Sequence, residues 1–237
     1  ALHALLELHY SVDILAEHQL QPRLKEFPLV VIPDSHKLTE DFRKAVLAYV
    51  RDGGSLLLLG EQCARLFEPD LGVKLDGKPQ QMSVELATPA GPVNVNGLWQ
   101  AVTTTTAKPI GYRYPTRDTR KNGQPAATIV ACGKGQIGAV YGPVALAFFH
   151  SHHTSLRGFV GDVVQPLLPS PAVRVQAPAC VDVSLRRTAD GRLSVHLLNR
   201  SAAPVTDAYG FVDFIPTIGP IRVRLRMAQA PKNVTWV

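Results

Sequence analysis

The fold is decided by one stretch, Pro28–Cys63, which reads PLVVIPDSHKLTEDFRKAVLAYVRDGGSLLLLGEQC. Two short apolar runs, Leu29–Ile32 and Ser55–Leu59, are typical of strands that are buried on both faces. Between them, Thr39 is suited to cap a helix whose apolar residues recur with helical spacing, and Gly53-Gly54 is suited to end it. This strand–helix–strand order predicts two parallel strands joined by a right-handed crossover.

Polar residues follow each predicted strand at its carboxyl end. Asp34, Ser35 and His36 come after the first strand, and Gly60–Cys63 come after the second. Ligands in such sheets bind beyond the carboxyl ends of the strands, so the sequence predicts a candidate crevice there. His36 beside Asp34 resembles an acid–base pair, although turns use the same residues for local hydrogen bonds. Glu61 and Asp34 could also form a carboxylate pair of the kind that hydrolyses glycosides.

Cys63 lies close to where a nucleophile elbow would place its nucleophile. Such an elbow has one glycine two residues before the nucleophile and another two residues after it. Here Cys63 comes three residues after Gly60, and Arg65 stands where the second glycine belongs. The cysteines Cys63, Cys132 and Cys180 form no CxxC pair, which disfavours a zinc site or a disulfide framework. We expect buried neutral thiols, with a hydrolase or amidotransferase that uses Cys63 as the alternative.

Three histidines, His150, His152 and His153, raise the question of a metal site. On a helix, His150 and His153 would share one face. No carboxylate or further histidine lies close in the sequence to complete a set of three or four ligands, so we predict no metal and no cofactor. The catalytic candidates are then Cys63, Glu61, His36 and Asp34. The sequence alone does not assign catalysis to any of them.

The composition is that of a folded protein with one large domain or two ordinary ones. The chain has 237 residues, of which 46% are hydrophobic, and no apolar run approaches the roughly 18 residues that span a bilayer. The net charge is +6, with one arginine cluster within 113–121 and another at Arg222, Arg224 and Arg226. No nucleic-acid-binding motif accompanies this charge, so we expect neither nucleic acid nor a membrane as a partner. The compartment stays open between cytoplasm and periplasm.

The start of the chain has the pattern of an α/β unit. Residues 1–10 have helical periodicity without a capping residue before them, and Val12–Leu15 reads as a short strand. In a flavodoxin-like sheet, a strand would precede this helix and lie between Val12–Leu15 and Leu29–Ile32. We therefore expect an upstream segment of the parent polypeptide to fill that position.

The middle of the chain predicts strands followed by helices. Residues 82–111 are rich in Val, Thr, Gly and Pro, which favours short strands, and Asp76-Gly77 is a turn signal. Gly133-Lys134-Gly135 lies between two apolar runs and predicts a hairpin. Residues 144–168 predict a helical segment with a polar interruption at 150–153.

The last part of the chain predicts a separate β domain. A proline-rich stretch, 171–178, is typical of a linker. Apolar and polar residues then alternate from Val181 to Leu185 and from Leu193 to Leu197, with a turn at Asp190-Gly191. This pattern predicts a small antiparallel β-sandwich. The aromatic side chains that could bind a glycan there are Tyr209, Phe211, Phe214 and Trp236.

Several stretches resemble the C-terminal part of certain bacterial glycoside hydrolases. They are, in chain order, HALLELHYSVDIL, PLVVIPDS, VLAYVRDGGSLLLLGE, PAATIVACGKGQIGAVYGP and VSLRRTADGRLSVHLLNRS. These hydrolases are related to α-L-fucosidases and to β-galactosidases with a trimerisation domain. In that family, a catalytic (β/α) barrel precedes an α/β domain similar to class I glutamine amidotransferases, and a small β-domain follows.

The resemblance implies three segments. They are a flavodoxin-like, class I glutamine amidotransferase-like parallel-sheet domain over 1–170, which is N-terminally incomplete, a linker over 171–178 and the β-sandwich domain over 179–237. True amidotransferases of this fold have a histidine and a glutamate after a late strand, whereas Gly142-Pro143 follow that strand here.

This departure predicts a non-catalytic region of a carbohydrate-active enzyme, which serves subunit assembly or shapes the substrate cleft. The expected partners are the upstream catalytic barrel of the same polypeptide, further copies of the chain in a homo-oligomer, and carbohydrate. The alternatives are a glycan-binding module and the Cys63-dependent hydrolase.

Overall fold

The computed structural model describes residues 1–201 and 215–236. These residues divide into two compact units. The first unit consists of Ala1, His3 and Ile14–Pro169, and the second of Leu2, Ala4–Asp13 and the described residues from Ser170 onward. Within this described part of the chain, no helix is long and apolar enough to cross a membrane.

The elements of the chain alternate between short helices and strands. The α-helices are α1 (Leu2–Glu7), α2 (Glu17–Leu20), α3 (Glu40–Arg51), α4 (Glu61–Leu66), α5 (Val144–Ser151) and α6 (Thr154–Leu167). Two 3-10 helices are Gln21–Glu26 and Glu68–Asp70. The strands are β1 (Leu29–Ile32), β2 (Ser55–Leu59), β3 (Val73–Leu86), β4 (Val93–Thr104), β5 (Lys108–Tyr114), β6 (Gln124–Cys132), β7 (Gly135–Val140), β8 (Val173–Gln176), β9 (Val181–Arg187), β10 (Leu193–Asn199) and β11 (Arg222–Leu225).

The first unit is built on a mixed sheet of seven strands in the order β1-β2-β7-β6-β5-β3-β4. Strands β1, β2 and β7 run parallel, and the other pairs are antiparallel. The predicted parallel sheet is therefore correct for these three strands and wrong for the rest. The antiparallel part arises because β3 to β7 include hairpins, and hairpins reverse the chain without a crossover helix.

The predicted strand–helix–strand unit is confirmed. Every residue of β2 is buried, as expected for a strand covered on both faces. Thr39 caps α3, since its Oγ1 accepts a hydrogen bond from the Phe42 N–H at 3.4 Å. Tyr49 lies on the buried face of α3, and its hydroxyl donates to the Phe27 carbonyl at 2.8 Å. The apolar stripe and this hydrogen bond together hold α3 against the parallel strands.

The antiparallel half of the sheet differs from the sequence-based prediction in one respect. The hairpin across Gly133-Lys134 is confirmed, with Cys132 paired to Gly135. In contrast, Asp76-Gly77 is not a turn between elements but lies inside the long strand β3, where the register against β4 shifts between Asp76 and Gln80. Glycine favours such an irregularity because Gly77 has a φ of 66°, which an L side chain adopts at a cost.

The predicted helical segment after β7 is also confirmed as α5 and α6. The interruption falls at His152, which has a left-handed φ of 48° and ends α5. His153 then begins α6, since its Nδ1 accepts a hydrogen bond from the Ser155 N–H at 3.2 Å. Gly111 on β5 lies so close to Phe159 of α6 that a β-carbon there would overlap the ring. The helix therefore packs directly on the sheet.

The start of the chain differs from the expectation. Helix α1 forms, but Val12–Leu15 adopts no regular secondary structure, so the predicted second strand is wrong. Residues Ala4–Asp13 belong to the second unit, where Ser11 accepts a hydrogen bond from the Leu185 N–H at 3.0 Å. Strand β1 is an edge of the described sheet. The sequence of β1 did not reveal that β1 is an edge strand. Over only four residues, a strand buried on one face and a strand buried on both faces can show the same apolar run.

The second unit contains two small antiparallel sheets, β9 with β10 and β8 with β11. Strand β8 lies inside the segment 171–178, which the sequence predicted to be a linker. Three valines, Val173, Val175 and Val183, form its buried core with partly buried side chains around them. Arg222 and Arg224 are exposed on one face of β11, as their spacing predicts. The sandwich arrangement stays a prediction.

Candidate functional site

The predicted crevice lies at the carboxyl ends of β1 and β2. Because the two strands are adjacent and parallel, the residues that follow them meet at the same edge of the sheet. A cleft of about 450 Å³ is present there. It is lined by His36, Glu61, Gln62, Arg65, Leu66, Lys78, Pro79 and Leu98. The structure thus brings two of the four catalytic candidates, His36 and Glu61, to one cleft.

Asp34 serves the local structure at this edge. Its carboxylate accepts hydrogen bonds from the backbone N–H groups of Gln62 and Cys63, in the first turn of α4. It lies against Gly60, whose φ of 104° lets the chain turn from β2 into α4 without a side chain in the way. A carboxylate at a helix N-terminus satisfies free N–H groups and complements the helix dipole. Asp34, which follows β1, therefore acts as a cap for the N-terminus of α4.

Glu61 is the buried carboxyl group of the cleft, with 4% of its surface exposed. Burial raises its pKa, and the neighbouring Asp34 carboxylate raises it further. Partial burial raises the pKa of Asp34 as well, whereas the backbone hydrogen bonds to its carboxylate oppose that shift. The predicted carboxylate pair is therefore present as two interacting groups, one of which is already bound to backbone N–H groups.

His36 lies beside this pair but is exposed to solvent. Its positive charge when protonated lowers the pKa of Asp34, which shows that the two residues interact. The turn that carries His36 is closed by Ser35, whose hydroxyl donates to the Lys37 carbonyl at 3.0 Å. The geometry thus includes the local hydrogen bonding that turns after strands commonly have. It also leaves the imidazole available to a molecule in the cleft.

Cys63 is fully buried, and it does not line the cleft. Among the described residues, the hydrogen-bond partners of its Sγ are backbone atoms. The Ser35 N–H donates to Sγ at 3.1 Å, and the Pro33 carbonyl accepts from the thiol at 3.3 Å. Burial raises the pKa of Cys63 to about 11. A thiol nucleophile needs a low pKa or an adjacent base, so this environment opposes a catalytic thiol.

Directly after β7 comes Tyr141, whereas the sequence resemblance would predict a histidine after this strand in a true amidotransferase. Tyr141 is buried, and its hydroxyl is 2.5 Å from the Thr128 hydroxyl on β6. Burial raises the pKa of Tyr141 to about 12, so the phenol stays protonated. Its neighbour Gly142 packs on the Trp99 ring, with no room for a β-carbon. Packed side chains therefore occupy the space at the carboxyl end of β7.

The three histidines after α5 lie at the junction between two helices. His152 ends α5, and its ring packs on Phe148 with the ring centroids 5.1 Å apart. The His3 ring also lies near this ring, at 5.6 Å between centroids. In the described part of the chain, no group of three or more potential ligands is arranged to hold a metal ion. His150 and His153 do not form part of such a group.

Three residues that line the cleft were not identified from the sequence. Lys78, Pro79 and Leu98 come from β3 and β4, which pair as one long hairpin. The signal that could have found them is Gly77, because a glycine inside a strand pattern indicates a bulge that redirects the neighbouring side chains. Leu98 remains 43% exposed, so the lining of the cleft includes an accessible apolar side chain beside charged ones.

The aromatic residues proposed for glycan binding are only partly described. Trp236 is 88% exposed. Tyr209, Phe211 and Phe214 lie outside the described residues.

Comparison with known proteins relates this fold to large enzymes. No protein-family model and no curated protein matches the sequence. The structure is similar to alpha-L-fucosidase isoenzyme 2 from Paenibacillus thiaminolyticus, with a TM-score of 0.75 and 18% identity over 95% of this chain and 38% of that chain. It is also similar to the beta-galactosidase from Rahnella sp. R3, with a TM-score of 0.63 and 18% identity over 84% of this chain and 31% of that one.

A third similar structure is the beta-galactosidase from Bacillus circulans sp. alkalophilus. Its TM-score is 0.59, with 16% identity over 83% of this chain and 30% of that chain. The chain therefore spans about a third of the length of each of these enzymes. At such identities the likeness concerns the fold. The three neighbours are a fucosidase and two β-galactosidases, which are glycoside hydrolases, as the sequence resemblance predicted.

Proposed function

We propose that this chain is the non-catalytic C-terminal region of a bacterial carbohydrate-active enzyme of the glycoside hydrolase class. Its role is to support subunit assembly or to shape the substrate cleft of the parent enzyme. The observation that carries the proposal is the state of Cys63, which is buried, bonded to backbone atoms and high in pKa. The similarity of fold to about a third of each of two kinds of glycoside hydrolase supports it.

The first unit is then a flavodoxin-like domain of the class I glutamine amidotransferase type that lacks amidotransferase chemistry. Two features support this view. The carboxyl ends of β2 and β7 are filled by Cys63 and Tyr141, both fully buried. Asp34, which lies beside the start of α4, is engaged by backbone N–H groups. The partners are the upstream catalytic barrel and further copies of the same polypeptide, in the cytoplasm or the periplasm.

The first test is catalytic. The isolated chain is incubated with a panel of aryl glycosides and with glutamine, and release of aryl alcohol and ammonia is measured. We expect no turnover of either substrate. Turnover of glutamine that disappears in a Cys63→Ala variant would replace the proposal with the amidotransferase alternative. Turnover of an aryl glycoside that disappears in a Glu61→Gln variant would assign the chemistry to the carboxylate pair.

The second test addresses assembly. The mass of the longer polypeptide that contains this chain is measured by light scattering, with and without residues 1–237. We expect the deletion to lower the oligomer size, the specific activity on its glycoside, or both. An unchanged mass and an unchanged activity would contradict the proposal.

A further inference from the structure

Arg113 is a buried cation in the middle of the first unit. It lies on β5 with 3% of its surface exposed. Its guanidinium group lies over the Trp99 ring, 5.4 Å from the ring centroid. Its Nη1 donates to the Met82 Sδ at 3.6 Å, and a thioether is a weak acceptor. Trp99 is itself 1% exposed, so the pair lies in the core of the sheet.

Three donor nitrogen atoms of this pair lack an acceptor among the described residues. They are the Nε and Nη2 of Arg113 and the Nε1 of Trp99. A tryptophan Nε1 and a guanidinium can donate but cannot accept, so these groups cannot satisfy one another. An uncompensated buried charge and unpaired buried donors are both costly, because each has lost its hydration. The cluster therefore calls for an acceptor that carries negative charge.

Among the described residues, no carboxylate forms an ion pair with Arg113, whose pKa shift has desolvation as its only cause. Leu86 is its cross-strand partner, and Glu85 is paired with Tyr114. Since successive side chains of a strand point to opposite faces, Glu85 lies on the other side of the sheet. There the Glu85 carboxylate accepts a hydrogen bond from the Asn94 amide at 3.1 Å. Burial lowers the pKa of Arg113, in keeping with a guanidinium that has no counter-ion.

We propose that Arg113 and Trp99 form a binding site for a small monovalent anion. The two free donors of Arg113 are Nε and Nη2, which point in the same direction and form the side-on fork that fits both oxygens of a carboxylate. The anion must be small, because the donor atoms have no exposed surface and a carboxylate on another macromolecule could not reach them. The site is independent of the cleft beside Glu61 and of the proposed function.

The test uses the buried indole as a reporter. Trp99 and Trp236 are the two tryptophans of the chain. A Trp236→Phe variant leaves only Trp99, which is too buried for collisional quenching. Bromide bound next to the ring quenches its emission through the heavy-atom effect. We expect sodium bromide to lower the Trp99 emission to a plateau at constant ionic strength, and sodium acetate to relieve that quenching by competition.

Two further variants, made in the Trp236→Phe background, assign the effect. Arg113→Met removes the guanidinium but keeps an unbranched apolar side chain, and it should abolish the saturable quenching. Lys108→Met removes an exposed cation from the same strand and should leave it unchanged. Melting supplies a second measurement, because an anion that binds the folded state raises its melting temperature. Sodium acetate should raise that temperature by several degrees more in the parent protein than in Arg113→Met.

The proposal is overturned if bromide leaves the Trp99 emission unchanged or quenches it linearly without a plateau. It is also overturned if Arg113→Met responds to bromide and acetate as the parent does. Either result would mean that the free donors of Arg113 and Trp99 bind water and not an anion.

Discussion

Asp34 and Arg113 are two charged residues of the first unit that are used in opposite ways. Asp34 is exposed to solvent, yet its carboxylate is engaged by the N–H groups of Gln62 and Cys63. Arg113 is almost fully buried, yet two of its nitrogen atoms have no acceptor among the described residues. The exposed charge is therefore satisfied, and the buried one is not.

The difference shows that a charge at a strand end is not by itself evidence of a reactive site. The edge formed by β1 and β2 looks catalytic in the sequence because carboxylates, a histidine and a thiol follow the strands. In the structure, Asp34 is engaged by the first turn of α4 and Cys63 is bonded to backbone atoms after β1, whereas Glu61 and His36 line the cleft. The unsatisfied charge lies on β5, away from the edge where the fold class predicts ligands.

The largest expected effect concerns the thiol of Cys63. If this thiol reacted fast, a group at the strand ends would be chemically available, contrary to the comparison. Its pKa of about 11, raised from 9.0, lowers the thiolate fraction at neutral pH about 100-fold. We expect iodoacetamide to modify Cys63 far more slowly than Cys132 and Cys180, which are partly exposed. Peptide mass spectrometry over a time course measures the three rates. Fast modification of Cys63 in the folded protein would restore it as a nucleophile.

The next effect tests the turn that Asp34 covers. A Gly60→Ala variant places a β-carbon against the Asp34 carboxyl group at a φ of 104°. Strain and overlap together should lower the free energy of unfolding by about 3–5 kcal/mol. Gly77→Ala is the matched control, because its φ is 66° but no atom lies within 4 Å of the added carbon.

The Gly77→Ala variant should lose only about 1–2 kcal/mol. Urea unfolding, followed by Trp99 fluorescence in the Trp236→Phe background, compares the two glycine variants. Equal losses would show that the contact with Asp34 does not matter.

A smaller effect compares the two charges directly. Asp34→Ala removes the acceptor of two backbone N–H groups and should lower the free energy of unfolding by about 1–2 kcal/mol. Arg113→Met removes a buried cation without a counter-ion, so at low salt it should change that free energy by less than about 1 kcal/mol or raise it. The same urea titration measures both variants. A large loss in Arg113→Met would mean that the guanidinium is satisfied in solution.

The smallest effect is a pH dependence. The folded-state pKa values of Asp34 and Glu61 are raised from their ordinary 3.8 and 4.5. Their neutral forms are thus favoured in the folded state, and the folded state binds more protons than the unfolded one. Their contribution to stability is full below these ordinary values and is lost as the pH rises through the raised pKa values.

Glu61→Gln should weaken this decline in stability between acidic and neutral pH, which urea titrations at several pH values detect. The variant Glu40→Gln changes an exposed carboxylate and serves as the control. Its folded-state pKa is lowered by Lys44, so its slope has the opposite sign. An unchanged slope in Glu61→Gln would contradict the raised pKa.

Local patterns made the central part of the fold predictable. The capping residue Thr39, the apolar stripe of α3 and the buried strands β1 and β2 depend on neighbours within about a dozen residues. The same holds for the hairpin at Gly133-Lys134 and for the break between α5 and α6. The strand expected at Val12–Leu15 failed for the opposite reason. A short apolar run becomes a strand only if the sheet offers it an edge, and the first part of this segment, up to Asp13, belongs to the second unit.

By itself, the sequence determined which groups stand at the ends of β1 and β2, since parallel strands joined by a helix must end at the same edge. Only the tertiary structure decided what these groups do. Whether Cys63 meets a base or a backbone carbonyl, and whether Arg113 faces solvent or Trp99, depends on strand register and on packing between residues far apart in the chain. Burial then sets the chemistry, because removing a polar group from water changes its pKa and its need for a partner.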